Sequence, residues 1–91
     1  MGDYSKHKKE IADISDMEEL AKMIGDLHYE SLNCLLKNLE VKLFIDGRND
    51  TDAGRKKLGI SLIKASNKIE SAAEYIRQAW EISQPFMKDF T

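Results

Sequence analysis

Two clusters of basic side chains carry most of the chemistry this chain could perform. The first is Lys6, His7, Lys8 and Lys9, with Tyr4 beside them. The second is Arg55, Lys56 and Lys57, with Arg48 in the polar stretch just before. Free backbone N–H groups at a helix N-terminus favour anions, and added arginine and lysine make such an end a seat for phosphate. An aromatic ring next to lysines can stack a base while the lysines meet phosphates. Tyr4, Lys8, Lys9, Arg48, Arg55 and Lys56 are therefore the candidate ligand-binding residues. The plainer reading is solvated charge at exposed helix ends, with Arg55 paired to Asp52 or to a glutamate of a neighbour.

Catalysis and metal binding lack their parts. Di-metal helical bundles use Glu-x-x-His pairs, but Gly25 stands three residues before His28 and Tyr4 three before His7. His28 and Cys34 are six residues apart, on different faces of a helix. The single cysteine permits no intramolecular disulfide and reads as a small buried hydrophobe within "LNCLLKNL". "DGRNDTDAG", residues 46–54, has the look of a calcium loop, but Arg48 takes a ligand position and the closing glutamate is missing. Glu70 and Glu74 are four apart with no second acidic pair behind them, unlike the magnesium sites of all-helical nucleotide pyrophosphatases. No phosphate loop of the Walker type occurs. The chain is expected to have no catalytic residues, no metal site and no cofactor.

These groups are carried by 91 residues, 42% hydrophobic and 33% charged, with one proline and a net charge of −2. That is the profile of one soluble helical domain. The slight acidity disfavours duplex nucleic acid, whose phosphates call for a basic excess. No run is long enough for a membrane span and none resembles a signal peptide. A cytoplasmic location is expected.

Periodicity supplies the elements. A short first helix is expected over 5–14. "SDME" then reads as a capping box, Ser15 as N-cap and Glu18 three residues on. A long helix is expected over 16–45, its apolar stripe sliding from Met17, Leu20 and Ile24 to Leu35, Leu39 and Leu43. The Asn, Asp and Gly residues of 46–54 read as the turn, with Asp50, Thr51 or Asp52 capping the next helix. A second long helix is expected over 52–83, stopped by Pro85 and followed by an apolar tail, 84–91. On it Leu58, Leu62, Ala65, Ile69, Ala72, Ile76 and Ala79 keep a 4-3 spacing, a heptad seam with one position large and the other small.

Two long helices joined by a short turn fold back on each other. The expected fold is all-α: a long antiparallel helical hairpin with a short N-terminal helix. Such a hairpin is a thin core, and Leu32, Leu36, Phe44, Ile63, Trp80 and Ile82 flank its seams. Uncovered apolar area of this kind marks an interface. A homo-oligomer, a dimer or higher, assembling through a helical bundle is expected.

The basic, tyrosine-bearing start, the long helix, the polar turn and "GRKKLGISLIKAS" together resemble the small hairpin proteins of phages that sequester cyclic oligonucleotide signals of the CBASS anti-phage defence. Gly54, Arg55 and Leu58, with the alanine-rich helix behind them, carry the match, which extends loosely over residues 20–80. The tail "AWEISQPFMKDFT" and the missing aromatic before Gly54 depart from that pattern. The resemblance implies a non-enzymatic oligomer that binds cyclic nucleotides between protomers in the host cytoplasm and so counters host immune signalling. Arg55 would be the arginine at the head of the second long helix, and Tyr4 the base-stacking tyrosine. The competing readings are a protein-interaction module, an inhibitor or adaptor with anchors in "WEISQPFMKDF", and a small nucleotide hydrolase whose carboxylates converge across a subunit interface.

Overall fold

The computed structural model describes Ile11 and residues 16–86. The expected helix over 5–14 and the end of the tail, 87–91, fall outside them, apart from Ile11. Three α-helices follow in order: α1 (Met17–Gly25), α2 (Tyr29–Asp52) and α3 (Lys56–Ser83), with a 3-10 turn at Gln84–Phe86. α2 and α3 pack side by side as an antiparallel hairpin. The body measures 53 × 28 × 15 Å, so it is one layer of helices thick.

The expected 16–45 helix is two helices. Asp16, one residue beyond the expected Ser15, caps α1, its Oδ1 accepting from the Glu18 N–H at 2.9 Å and the Glu19 N–H at 3.4 Å. Glycine and aspartate are weak helix formers, and α1 closes at Gly25 with Asp26 as its C-cap. His28 then restarts the chain: its Nδ1 accepts from the Glu30 N–H at 3.1 Å and caps α2. The same imidazole meets Trp80 edge to face, with ring centroids 4.4 Å apart. This contact seats the start of α2 against the end of α3.

The turn is shorter and later than "DGRNDTDAG" suggests. Gly47, Arg48, Asn49 and Asp50 remain helical, and only Ala53 and Gly54 form the bend. The Arg55 N–H donates to the Asp50 carbonyl at 2.8 Å and the Gly54 N–H to the Thr51 carbonyl at 3.1 Å. This pair of bonds is a Schellman closure, which needs a left-handed residue just past the cap. Gly54 supplies it at φ +90°. None of Asp50, Thr51 and Asp52 caps α3. Arg55 occupies that position and its side chain makes no capping bond.

The seam between the two long helices lies one residue away from the alanine stripe. The buried positions of α3 are Gly59, Ser66 and Ala73, spaced by seven, and the buried position of α2 is Gly47. Asn33 Nδ2 donates to the Ala73 carbonyl at 2.6 Å and Ser66 Oγ to the Glu40 carbonyl at 2.9 Å. Gly47 faces Gly59, where an added Cβ on Gly47 would stand 2.8 Å from the Gly59 oxygen. Thus 33 pairs with 73, 40 with 66 and 47 with 59: seven residues up one helix match seven down the other. Leu58 and Ala72, assigned to the seam from spacing, are exposed, while Leu62, Ile69 and Ile76 edge it half-buried.

The close approach restricts what the hairpin buries. Ala73 is the buried hydrophobic residue among those described, at 1% exposure, and no large side chain is fully buried. Helix approach here is set by main-chain contact and a few polar bonds rather than by interlocked large residues. Gly59→Ala tests this. In a helix interior that change ordinarily gains about 1 kcal/mol. Here the new Cβ would lie 2.6 Å from the Gly47 oxygen, so chemical denaturation should show a loss of about 1–3 kcal/mol. Gly25→Ala, with nothing within 4 Å of the added atom, should be neutral or gain up to about 1 kcal/mol.

Candidate functional site

The six expected ligand residues divide three ways. Tyr4, Lys8 and Lys9 lie outside the described residues. Arg48 lies on α2 with its guanidinium carbon 5.9 Å from the centroid of the Phe44 ring one turn earlier, a cation–π geometry. Arg55 is held across the turn, its Nε donating to Asp50 Oδ1 at 2.7 Å. That aspartate, rather than Asp52, is its partner. The contact falls between the two positions that a Schellman closure commonly joins by an apolar contact. Lys56 is exposed at the head of α3 and has no ion pair among the described residues. Arg48, Arg55 and Lys56 thus share the turn end of the hairpin, with the two arginines engaged by the chain itself.

Helical geometry divides the hairpin into two broad faces. Leu35 and Leu39 of α2 lie on the same side as Leu58, Ala65, Ala72 and Ala79 of α3. The other side carries charge, together with the exposed Val41 and Tyr75. Between Lys37 and Glu40 on α2 and Glu70, Glu74 and Tyr75 on α3 runs an open groove of about 720 Å³. Glu40 reaches it because its backbone sits on the seam opposite Ser66.

Electrostatics in this groove come in opposed pairs. The Glu40 carboxyl is raised above its ordinary range first by burial, then by a hydrogen bond to Glu70 and by the Glu70 charge, with Lys37 acting against them. The folded state therefore holds a proton at Glu40 more tightly than the unfolded chain does. Glu74 is lowered, chiefly by its hydrogen bond to Arg77. Arg77 also pairs with Glu81, so one guanidinium joins two carboxylates spaced along α3. The groove as a whole is more acidic than basic, and an anion would meet repulsion in it.

The Glu40–Glu70 pair is not legible from spacing within one helix. Its signal is that Glu40 shares a heptad position with Asn33 and Gly47, which becomes visible only once the partner register is known. Cys34, expected to be buried, is exposed. It lies on the flank of α2 away from the leucines, with Sγ 3.5 Å from Asn38 Nδ2. Among the described residues no cluster of three or more histidine, cysteine, aspartate or glutamate side chains could hold a metal ion, and no helix is long and apolar enough to cross a membrane. No protein-family model, curated protein or solved structure matches the chain.

The raised Glu40 carboxyl fixes the sign of a pH effect. Its contribution to stability is fully present below the ordinary carboxylate range and is lost as pH rises through the elevated value. Glu74 acts in the opposite sense, stabilising above its ordinary value and losing this as pH falls through the lowered one. Glu40→Gln mimics the protonated side chain. It should raise the melting temperature at neutral pH, and the gain should vanish in acid. Melting curves across the acid range would show this, and an equal gain at every pH would refute the assignment.

Proposed function

We propose that this chain works by binding rather than by catalysis, as an assembling helical hairpin that presents a long apolar face to another helical surface. One observation carries the reading: a layer 15 Å thick with no large side chain fully buried among the described residues. Stable domains join at least two layers around a shared core. Leu35, Leu39, Leu58, Met17, Met23 and Leu27 are all more than a third exposed, and apolar surface on this scale belongs to interfaces. Phe86, at 78% exposure beyond the end of α3, adds an aromatic anchor of the type that dominates docking energies.

A second reading is favoured by the turn end. There Lys56 stands exposed at the head of α3 without an ion pair among the described residues, and Arg48 and Arg55 stand nearby. This basic end fits a hairpin oligomer that sequesters a small anion, with cyclic oligonucleotides the leading class through the resemblance of "GRKKLGISLIKAS" to the phage sponges. The acidic groove on the long face does not fit that ligand, which leaves the turn end as its contact.

Different measurements separate the two. Assembly makes the melting temperature depend on protein concentration. A rise of several degrees over two decades of concentration is expected, and a flat response across them counts against assembly with itself. A panel of cyclic dinucleotides and trinucleotides should raise the melting temperature if the turn end binds them. Lys56→Ala should reduce that shift without touching the Asp50–Arg55 bond. No shift with any member removes the sequestration reading.

A further inference from the structure

We propose that the partner on the apolar face is a second copy of this chain, stacked face to face with α3 against α3 and α2 against α2, both antiparallel, to close a four-helix bundle. The inference rests on the reading of the chain as an assembling hairpin and names what it assembles with.

The first argument is the symmetry of the two stripes. On α3 the outward seam runs from Leu58 to Ala79, with Ala65 and Ala72 between. Its midpoint falls between Lys68 and Ile69. On α2 the leucines of the same face run from Leu32 to Leu43, with Leu35, Leu36 and Leu39 between. Their midpoint falls between Lys37 and Asn38. The observed bonds set 33 against 73 and 40 against 66, which places these two midpoints side by side. One two-fold axis through that level would therefore bring Ala65 onto Ala72 and Leu58 onto Ala79 of the other copy. The same axis would bring Leu36 onto Leu39 and Leu32 onto Leu43. An unrelated partner would not require both helices to be centred on one level, whereas an isologous contact does.

The second argument is area. The seam from Leu58 to Ala79 is about 32 Å long at helical rise. Two helices at ordinary spacing make a face about 20 Å wide. Covering it on both copies buries about 1,200 Å², the lower end of specific, stable interfaces. Alanines at 65 and 72 leave that part of the face low, so the opposing helix can lie closer there than large side chains would allow.

Sedimentation of the full chain should give twice its 10.4 kDa, and a monomer overturns the proposal while leaving binding to a different protein open. Ala72→Glu on the apolar face should abolish the dimer, whereas Gln78→Glu on the polar side should not. If Ala72→Glu stays dimeric, the face is wrong. Loss of the dimer through unfolding of that variant would mimic the expected result, so cysteine cross-linking supplies an independent reading. In a Cys34→Ser background, Ala65→Cys chains mixed with Ala72→Cys chains should oxidise into a mixed disulfide much faster than either forms one with itself. Faster self-coupling of each variant would indicate parallel stacking, and no coupling of any kind would place the second copy elsewhere; both overturn the arrangement.

Discussion

The backbone contact between Gly47 and Gly59 governs the rest of the structure. Neither position has room for a Cβ, so two helices meet there main chain to main chain. Continuing that approach along the seam requires something small or bonded every seven residues. Ser66 meets this by donating to the Glu40 carbonyl, and Ala73 by accepting from Asn33. A seam built from such residues aligns the helices by hydrogen bonds and contact, and contributes little apolar burial at roughly 25 cal/mol per Å². The large residues are consequently displaced to the flanks. Their exposure follows from the tightness of the pairing.

The two flanks have different characters because the helices carry different stripes on each side. Toward one face the residues beside the seam are leucine, isoleucine and alanine. Toward the other they are Lys37, Glu40, Glu70 and Glu74, with Arg77 neutralising part of the acid. The charged side remains open to water, where exposed ion pairs contribute only about 0–1 kcal/mol each. The turn end is set apart from both faces. There Gly54 bends the chain, Asp50 holds Arg55, and the basic head of α3 begins.

The helical class and the hairpin can be read from the 4-3 spacing of α3 and from Pro85, since Ser83 closes the helix two residues before that proline. The seam itself cannot. Glycine and serine do not count in an apolar pattern, yet they are the residues that allow close approach, so Leu58, Ala65 and Ala72 stand out where Gly59, Ser66 and Ala73 make the contact. The turn departs from expectation for a related reason. Asp, Asn and Gly favour turns locally, but Gly47 is held helical by its contact with Gly59, and only Gly54 supplies the positive φ the bend requires. The break at 26–28 depends on His28 acting as a cap, which histidine rarely signals in sequence. Of the site residues, Arg55 stands at the head of α3 as its position in the chain suggests, while the partner that occupies it becomes visible only in three dimensions.

The contact of His28 with Trp80 gives the chain its own optical gauge. Trp80 is the single tryptophan, and its ring rests on the residue that both ends the α1–α2 link and caps α2. Its emission therefore responds to whether that elbow is seated. The Gly54 bend is about 36 Å away along α3, so events at that tip would leave the signal unchanged unless the whole rod moved with them.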